Sequence, residues 1–481
     1  EPVTLDLLAR RVGGRVVGDP ATLLVDATHD SRQVRSGTLF VAVPGLTVDG
    51  HGYVGAAREA GASAVCVERL VPGDPGPALV VADTRSALGP IAAIIHGDPS
   101  ASLRVVGVTG TNGKTTVTHL LEAICMHAGM RPGVVGTLGA RIAGETIPLG
   151  FTTPEASDLQ RLLGRMVTAD VDVAAVEVSS HALALGRVGG TSFAIAAFTN
   201  LSQDHLDFHG GMDEYERTKA SLFSRDRAGR AVIWTDDPAG ARIAASTDLP
   251  VVTVGHEPAD VQGVDVVCGL DGSRFTLVSE GERVPVTLPL LGDFNVANAL
   301  IAGACAAELG VPWDTIADGI ATAHPVPGRF EIVETRRDCT IVVDYAHTPD
   351  GVAKAVAAGR RLLDSGRLIV VVGAGGDRDR AKRPLMGAAA AVADLAVLTS
   401  DNPRSEDPGR ILDEVAAGAG NGAQVVREVD RRRAIRRALE QAVAGDLVLV
   451  LGKGHEQGQI FADRVVPFDD REVVREEAAA C

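Results

Sequence analysis

The chain has 481 residues, 46% of them apolar and only 3% aromatic, with 55 glycines and a formal net charge of −16. That length predicts three or four domains, and a composition rich in small aliphatics and glycine suits parallel sheets covered by helices. The acidic balance excludes a general nucleic-acid or membrane-surface binder, which needs a basic footprint, while anionic substrates need only local positive charge.

Cys66, Cys125, Cys268, Cys305, Cys339 and Cys481 lie too far apart for a CxxC pair or a metal knuckle, so neither a disulfide framework nor a zinc site is indicated. No signal peptide and no bilayer-length apolar run is read, so the expected setting is a reducing cytoplasm. Glu1 in place of Met leaves room for a short leader upstream.

Residues 1–98 carry short strand-like runs such as Thr38-Leu39-Phe40-Val41-Ala42-Val43 and a helix-like stretch from Tyr53 to Ala60. The polar His96-Gly97-Asp98-Pro99-Ser100 reads as a linker. A second unit, residues 99–326, opens with the buried-strand run Val105-Val106-Gly107-Val108-Thr109, a glycine-rich turn and a helix from Lys114 to His127. Further strands are predicted from Val173 to Val178, Ala194 to Thr199 and Val232 to Thr235. Residues 250–290 read as a β-rich excursion, and a helix from Asn295 to Leu309 closes the unit. Pro325, Pro327 and Gly328 mark the next boundary. In residues 327–481, strands from Ile341 to Val343, Leu368 to Val372, Leu395 to Leu398, Val425 to Val429 and Leu447 to Leu451 alternate with helices, a Rossmann-like doubly wound pattern. The run Arg431, Arg432, Arg433, Arg436, Arg437 reads as a solvated helix face.

The densest signal is Thr109-Gly110-Thr111-Asn112-Gly113-Lys114-Thr115-Thr116, set between a strand and a helix. Glycines let backbone N–H groups converge on phosphate oxygens, and a helix N-terminus adds partial positive charge. Lys114 supplies a full charge beside a transferred phosphoryl group, and the Thr115 hydroxyl is placed to reach Mg²⁺. The match to GxxxxGK(S/T) is imperfect, because Val108 stands at the first glycine position. The motif points to a nucleoside triphosphate without choosing the reaction. No NKxD guanine reader is present, and a kinase stays open on this motif alone.

Glu177 follows a strand and so points into the crevice where such sheets bind ligands. Oxygen donors suit Mg²⁺, making Glu177 a candidate ligand, with capping as the alternative. The next strand leads into Asn200-Leu201-Ser202-Gln203-Asp204-His205-Leu206-Asp207-Phe208-His209. The spacing of His205, Asp207 and His209 also suits a binuclear hydrolase, but the phosphate loop upstream favours phosphoryl transfer. Lys219, on the helix pattern Tyr215-Glu216-Arg217-Thr218-Lys219, reads by itself as an exposed-face lysine.

Seven blocks, TGTNGKTT, EVSSHAL, TNLSQDHLDFH, NVANAL, HPVPGRFE, DYAHTPD and GGDRDRAKRP, occur in one order along the chain. Through them the chain resembles the Mur ligases of peptidoglycan precursor synthesis over essentially its whole length. Folate-polyglutamate ligases share the architecture but not the last blocks. Within the family the chain resembles the members that extend UDP-N-acetylmuramoyl-L-alanyl-D-glutamate with the third residue of the stem peptide.

The resemblance implies an α/β fold in three domains. These are a small uridine-nucleotide domain over residues 1–98, a central P-loop ATPase domain with a mostly parallel sheet over 99–326, and a C-terminal Rossmann-like amino-acid-binding domain over 327–481. It implies ATP contacts from Gly110, Thr111, Asn112, Gly113, Lys114, Thr115, Thr116, Asn298, Arg329 and Asp344, with His347 in the same block as Asp344. The muramoyl-dipeptide would be held by Ser31, Thr152, Thr153, Ser179 and Arg187. Leu185 stands where the family often has Gln. Lys219 is implied to be carbamylated, an anion able to join Thr115, Glu177 and His205 at Mg²⁺. The catalytic set implied is Lys114, Glu177, His205 and Lys219.

Asp401-Asn402-Pro403-Arg404 resembles the signature of members that add meso-2,6-diaminopimelate, and lysine-adding relatives lack the arginine. Diaminopimelate differs from lysine by one distal carboxylate, which Arg404 can hold through two parallel N–H···O bonds. Arg378, Gly452 and Glu456 match the remaining family contacts, with Glu456 facing an ammonium. The glycines at 373, 375 and 376 do not make GxGxxG, because position 378 is Arg. The expected partners are the muramoyl-dipeptide nucleotide and diaminopimelate, with no nucleic acid and no membrane insertion, and the chain is expected to act as a monomer. The rival readings are the same chemistry with lysine or a folate glutamyl chain, a non-catalytic nucleotide-binding scaffold, and a metal-dependent phosphohydrolase built on His205, Asp207 and His209.

Overall fold

The computed structural model describes residues 2–45, 48–204, 206–256, 258–420 and 424–480, with nothing said of the Leu206 and Asp207 side chains. Three large sheets follow one another along the chain.

The first has five strands in the order Arg15–Val17, Ala78–Val80, Ala64–Val67, Thr38–Val41 and Asp26–Thr28, all parallel except the first pair. Its two central runs, TLFV and AVCV, are buried at every position. Such strands are apolar throughout because helices cover both faces. Helices Leu5–Val12 and Thr84–Ile95 pack on one face and Val54–Glu59 on the other. The region sits against the helix Ala156–Thr168 of the next sheet. At this seam Gly89 meets Gly189 backbone to backbone, and a Cβ on Gly89 would overlap the Gly189 carbonyl. Arg161–Asp26 at 3.2 Å and Arg85–Glu155 at 2.7 Å flank the seam.

The second sheet has eleven strands. Its parallel heart runs Pro132–Gly136, Val173–Glu177, Arg104–Thr109, Ile195–Phe198, Ala231–Trp234 and Val251–Gly255. The β-rich excursion is an antiparallel meander of Val261–Gly269, Gly272–Ser279 and Glu282–Leu288. Helices Lys114–His127, Asp293–Glu308 and Trp313–Ala321 cover one face, and Ala156–Thr168 and Pro238–Ser246 the other. The helix Trp313–Ala321 corrects the expectation that the preceding helix closes this unit.

The third sheet runs Glu331–Ile332, Thr340–Asp344, Leu447–Leu451, Leu368–Ala374, Leu395–Ser400 and Gln424–Arg427, parallel except at its first strand. All of its strands anticipated from the sequence are present.

The arginine run departs from expectation at one position. Arg432, Arg433, Arg436 and Arg437 have side chains 44–67% exposed, as a solvated face should. Arg431 is fully buried. It forms a two-toothed pair with the equally buried Asp470, at 2.8 and 2.6 Å, and donates to the Ser400 and Leu451 carbonyls. The first residue of the helix Asp470–Ala480 thus satisfies a guanidinium that the run pattern alone places outside. Removing one partner of a buried pair strands a charge, so Arg431→Ala should lower stability by about 3–5 kcal/mol in chemical denaturation. Arg433→Ala should stay within about 0.5 kcal/mol. Equal effects would show that the Arg431–Asp470 pair does not hold this region.

Candidate active site

The strand Arg104–Thr109 ends in the phosphate loop, and the helix Lys114–His127 begins at once after Gly113. Gly113 has φ +88°, and a Cβ there would overlap the Asn298 amide oxygen. Only glycine meets both conditions. The N–H groups of Lys114, Thr115 and Thr116 lie in the helix's first turn and have no acceptor within the helix, so they converge with its dipole at the loop's mouth.

The segment after the neighbouring strand is stapled to this loop. Asn200 accepts from Thr111 N at 2.8 Å through its carbonyl and from Asn112 N at 3.0 Å through its side chain. Thr199 Oγ1 donates to the Asn112 carbonyl at 2.6 Å. Lys114 Nζ curls back to the carbonyls of Gly110 and Thr111 at 2.9 and 2.8 Å.

Lys219, on the helix Met212–Ala220, is 1% exposed, which overturns the reading of an exposed-face lysine. Its Nζ donates to the same Gly110 carbonyl at 2.8 Å and lies 4.6 Å from the centre of the Tyr215 ring. The Tyr215 hydroxyl meets Thr111 Oγ1 at 3.1 Å. Burial first, and the Lys114 charge second, push the Lys219 amine well below the ordinary lysine range. Burial also lowers Lys114.

Glu177 is buried and accepts from Thr115 Oγ1 at 3.0 Å, Thr137 N at 2.9 Å and Thr137 Oγ1 at 3.0 Å. These bonds tie it to the phosphate loop and show no helix-capping role. From the third sheet's region Arg329 donates to Thr115 Oγ1 at 3.2 Å and stacks on Tyr345. Asp344 accepts from Phe330 N and Ala346 N at 2.8 and 2.9 Å, and burial pushes its carboxyl up against the opposing Arg329 charge. His347 lies 3.9 Å from Asp204. Between the two regions opens a cavity of about 520 Å³ lined by Asn112, Thr116, Trp234, Asn298, Arg329 and Asp344, among others.

Thr152, Thr153, Ser179 and Arg187 gather beside Glu177. Thr152 Oγ1 meets Thr137 Oγ1 at 3.1 Å, and Thr153 Oγ1 donates to the Glu177 carbonyl at 2.7 Å. Ser179 N donates to Thr153 Oγ1 at 3.1 Å. Arg187 bonds the Thr153 carbonyl at 3.2 Å and Glu155 at 3.0 Å, and lies over Phe151. Glu155 also pairs with Arg85, so a chain of charges runs from the first region to this cluster. Leu185 is half-buried at the end of the short helix Ser180–Ala184. Ser31 begins a one-turn helix, Ser31–Gln33, next to His29, whose Nδ1 lies 3.3 Å from Ser157 Oγ.

Farther along the cleft, the ends of three parallel strands bring Asp401–Arg404, Gly375–Arg378 and Gly452–Glu456 together. Arg404 donates to the Gly376 carbonyl at 2.8 Å. Burial first, then the neighbouring Arg378, destabilise its charge, the signature of a cation awaiting an anion. Asn402 Nδ2 donates to Glu456 Oε2 at 2.8 Å. A buried Lys453, which the motif reading passed over, joins both. A fully buried Arg383 lies behind the loop, paired with Glu406 and Glu414 at 2.7 Å each and donating to the Gly375 carbonyl. No signal in the sequence distinguishes them, because each stands in a block that holds other charged residues, GGDRDRAKRP and GKGHE.

A hard cation needs oxygen donors. Thr115 Oγ1 and the Glu177 carboxylate adjoin and fit that need, while His205 lies outside the described residues. Among the described residues no group of three or more His, Cys, Asp or Glu side chains is placed to hold a metal. His205 and the Asp207 side chain, on which the phosphohydrolase reading rests together with His209, lie outside the described residues. No helix among the described residues is long and apolar enough to cross a membrane.

Residues 108–306 match the Mur ligase middle domain, 328–454 the Mur ligase glutamate ligase domain, and 27–93 the Mur ligase family catalytic domain. The chain is 45% identical to the UDP-N-acetylmuramoyl-L-alanyl-D-glutamate–2,6-diaminopimelate ligase of Geobacillus thermodenitrificans, over 94% of each chain. It is likewise 45% identical to the protein of that name from Streptomyces coelicolor, over 96% of this chain and 94% of the other. A solved structure of a ligase with the same name superposes with a TM-score of 0.72 at 34% identity, covering 100% of this chain and 99% of that one. The MurF ligase of Thermotoga maritima, solved in complex with ADP, shares the fold with a TM-score of 0.69 at 21% identity, over 95% of this chain and 98% of that one. With sheets, phosphate loop and cleft all of one pattern, the chain belongs to the Mur ligase family.

Proposed function

We propose that this chain joins the γ-carboxylate of the D-glutamyl residue in UDP-N-acetylmuramoyl-L-alanyl-D-glutamate to an amine of meso-2,6-diaminopimelate, converting ATP to ADP and phosphate. The observation that carries this reading is the meeting of three groups of residues at the phosphate loop. Glu177 bonds Thr115 on that loop and, through its carbonyl, Thr153 beside Arg187, while Arg329 reaches Thr115 from the third sheet's region, whose strand ends carry Arg404 and Glu456. A carboxylate, a triphosphate and a zwitterionic amine each have a matching group among them.

In the reading we favour, a γ-carboxylate oxygen attacks the terminal phosphorus, the bond to ADP breaks, and an acyl phosphate results. The amine then attacks the acyl carbon, the C–N bond forms with loss of a proton, and phosphate departs. No protein nucleophile is required, so catalysis is positioning and charge neutralisation. Lys114 leaves its loop carbonyls to meet the transferred phosphoryl group. Arg329, already on Thr115, brings the third sheet's region onto the nucleotide with Asn298 and Asp344. Gly110, Thr111, Asn112, Gly113, Thr115 and Thr116 cradle the phosphates. Ser31, Thr152, Thr153, Ser179 and Arg187 hold the muramoyl-dipeptide. Arg378, Asp401, Asn402, Pro403, Arg404, Gly452 and Glu456 hold diaminopimelate. Thr115, Glu177, His205 and a carbamate on Lys219 would hold Mg²⁺, which would neutralise phosphate charge when bound. A neutral amine is what CO₂ adds to, and the burial of Lys219 favours that form. We place the domain boundaries at 98/99 and 326/327, and assign a monomer working in the cytoplasm.

Presenting lysine would leave Arg404 desolvated and unmatched, at a cost of about 1–3 kcal/mol or more. Phosphate release should therefore favour diaminopimelate over L-lysine by about 100-fold in kcat/KM. Arg404→Ala should lose most of that preference through KM for diaminopimelate, and lysine outcompeting diaminopimelate in the wild type would refute the assignment. Lys219→Ala should lower kcat about 100- to 1000-fold. A ¹³C-bicarbonate carbamate signal should be present in the wild type, absent from Lys219→Ala, and lost on acidification as the amine takes up a proton. An unlabelled wild type with full activity would remove the carbamate. Gly113→Ala should abolish ATP binding in calorimetry, because its Cβ displaces Asn298; unchanged affinity would show that the loop tolerates it.

A further inference from the structure

Lys453 is wholly buried at the amino-acid end of the cleft. Its Nζ donates to Asn402 Oδ1 and Glu456 Oε2, each at 2.9 Å, and lies 3.6 Å from Asp401 Oδ1. Asn402 Oδ1 also accepts from Ile460 N at 3.0 Å, which fixes the amide so that its Nδ2 faces Glu456 Oε2. Both of these bonds to Glu456 fall on Oε2. Gly452 is bare here, and a Cβ on it would lie 2.7 Å from Asp401 Oδ2.

The signs of the charges matter as much as the contacts. Arg378, Arg404 and Lys453 are three cations, and Asp377, Asp401 and Glu456 are three carboxylates. Arg431 is already matched by Asp470. The charges of the assembled site therefore balance, and Glu456 is already engaged by Lys453. The distal end of diaminopimelate carries an ammonium and a carboxylate and is neutral as a unit. The distal end of lysine is a lone ammonium. To reach Glu456 it must share that carboxylate with Lys453, and two cations on one anion in a poorly hydrated site repel.

We propose that Lys453 is a specificity-determining residue, rejecting diamino acids whose distal ammonium has no carboxylate beside it. This rests on the diaminopimelate-ligase reading and extends it. Arg404 attracts the right substrate, and Lys453 repels the wrong one. Specificity built only on attraction leaves the competitor a foothold, and a repulsive element removes it.

The test is kcat/KM for phosphate release with diaminopimelate and with L-lysine, in the presence of ATP and the muramoyl-dipeptide nucleotide. Lys453→Met keeps length and removes charge. The diaminopimelate-to-lysine ratio should fall about 10-fold, mainly because KM for lysine drops. Lys453→Arg keeps the charge and should hold the ratio within about 3-fold of wild type even if both KM values rise. Should Lys453→Met fail to fold by thermal melting, Lys453→Gln, neutral and still a donor, carries the measurement. A merely structural lysine would weaken both substrates equally, and an unchanged ratio in a folded neutral variant overturns the proposal. Failure of the underlying reading looks different, because wild type would then release no phosphate with diaminopimelate.

Discussion

Two lysine side chains donate to one backbone oxygen, the carbonyl of Gly110, from 2.9 and 2.8 Å. Two full ammonium charges so close together in a buried place would repel strongly. The structure resolves this unequally. Lys219 has lost more solvent and feels the Lys114 charge, and its proton is the one less firmly held. Tyr215, one helical turn before it, lays its ring under the amine and its hydroxyl on Thr111. The phosphate loop, the helix Met212–Ala220 and the segment around Asn200 are locked into one arrangement by this sharing. The carboxylate of Glu177 and the reach of Arg329 meet at Thr115 on the same loop.

The third sheet repeats the device with different chemistry. Arg431 with Asp470, Arg383 with Glu406 and Glu414, and Lys453 with Asp401 and Glu456 all lie beneath loops at strand ends. Buried ion pairs return little net stability, because desolvation offsets much of their attraction. Their geometry is what they contribute here. Arg431 ties the carbonyls of Ser400 and Leu451, the last residues before the Asp401 and Gly452 turns. Arg383 bonds the Gly375 carbonyl and so fixes the turn that Arg404 grips from the other side.

Sequence periodicity named the run containing Thr38–Val41, four parallel strands of the second sheet and five of the third, because parallel strands covered on both faces are apolar throughout. It did not single out Ala64–Val67, Ala78–Val80 or Pro132–Gly136. It missed the hairpin of Gly139–Ile142 and Glu145–Ile147 and the edge pair Glu331–Ile332, which are short and partly exposed. The phosphate loop was legible because its chemistry is local: glycines, lysine and threonine act within one turn. Lys219, Arg431 and Lys453 were not, since their burial is decided by partners far along the chain. Lys219 was named only through family resemblance, and Arg431 was read as solvated. The charge pattern of a helix records which residues are ionic and not which of them face inward.

At the seam Gly89 and Gly189 meet backbone to backbone. A contact made of two backbones has no rotamers to flex and no methyl to trim, so it seats the first region against the helix Ala156–Thr168 at one spacing. The charge chain Arg85–Glu155–Arg187 continues from that seat to the cluster around Thr153. On the proposed function, a uridine end held on the first region would make the molecule a caliper, in which a stem one residue too short would stop its carboxylate before Lys114 and a stem one residue too long would carry it past.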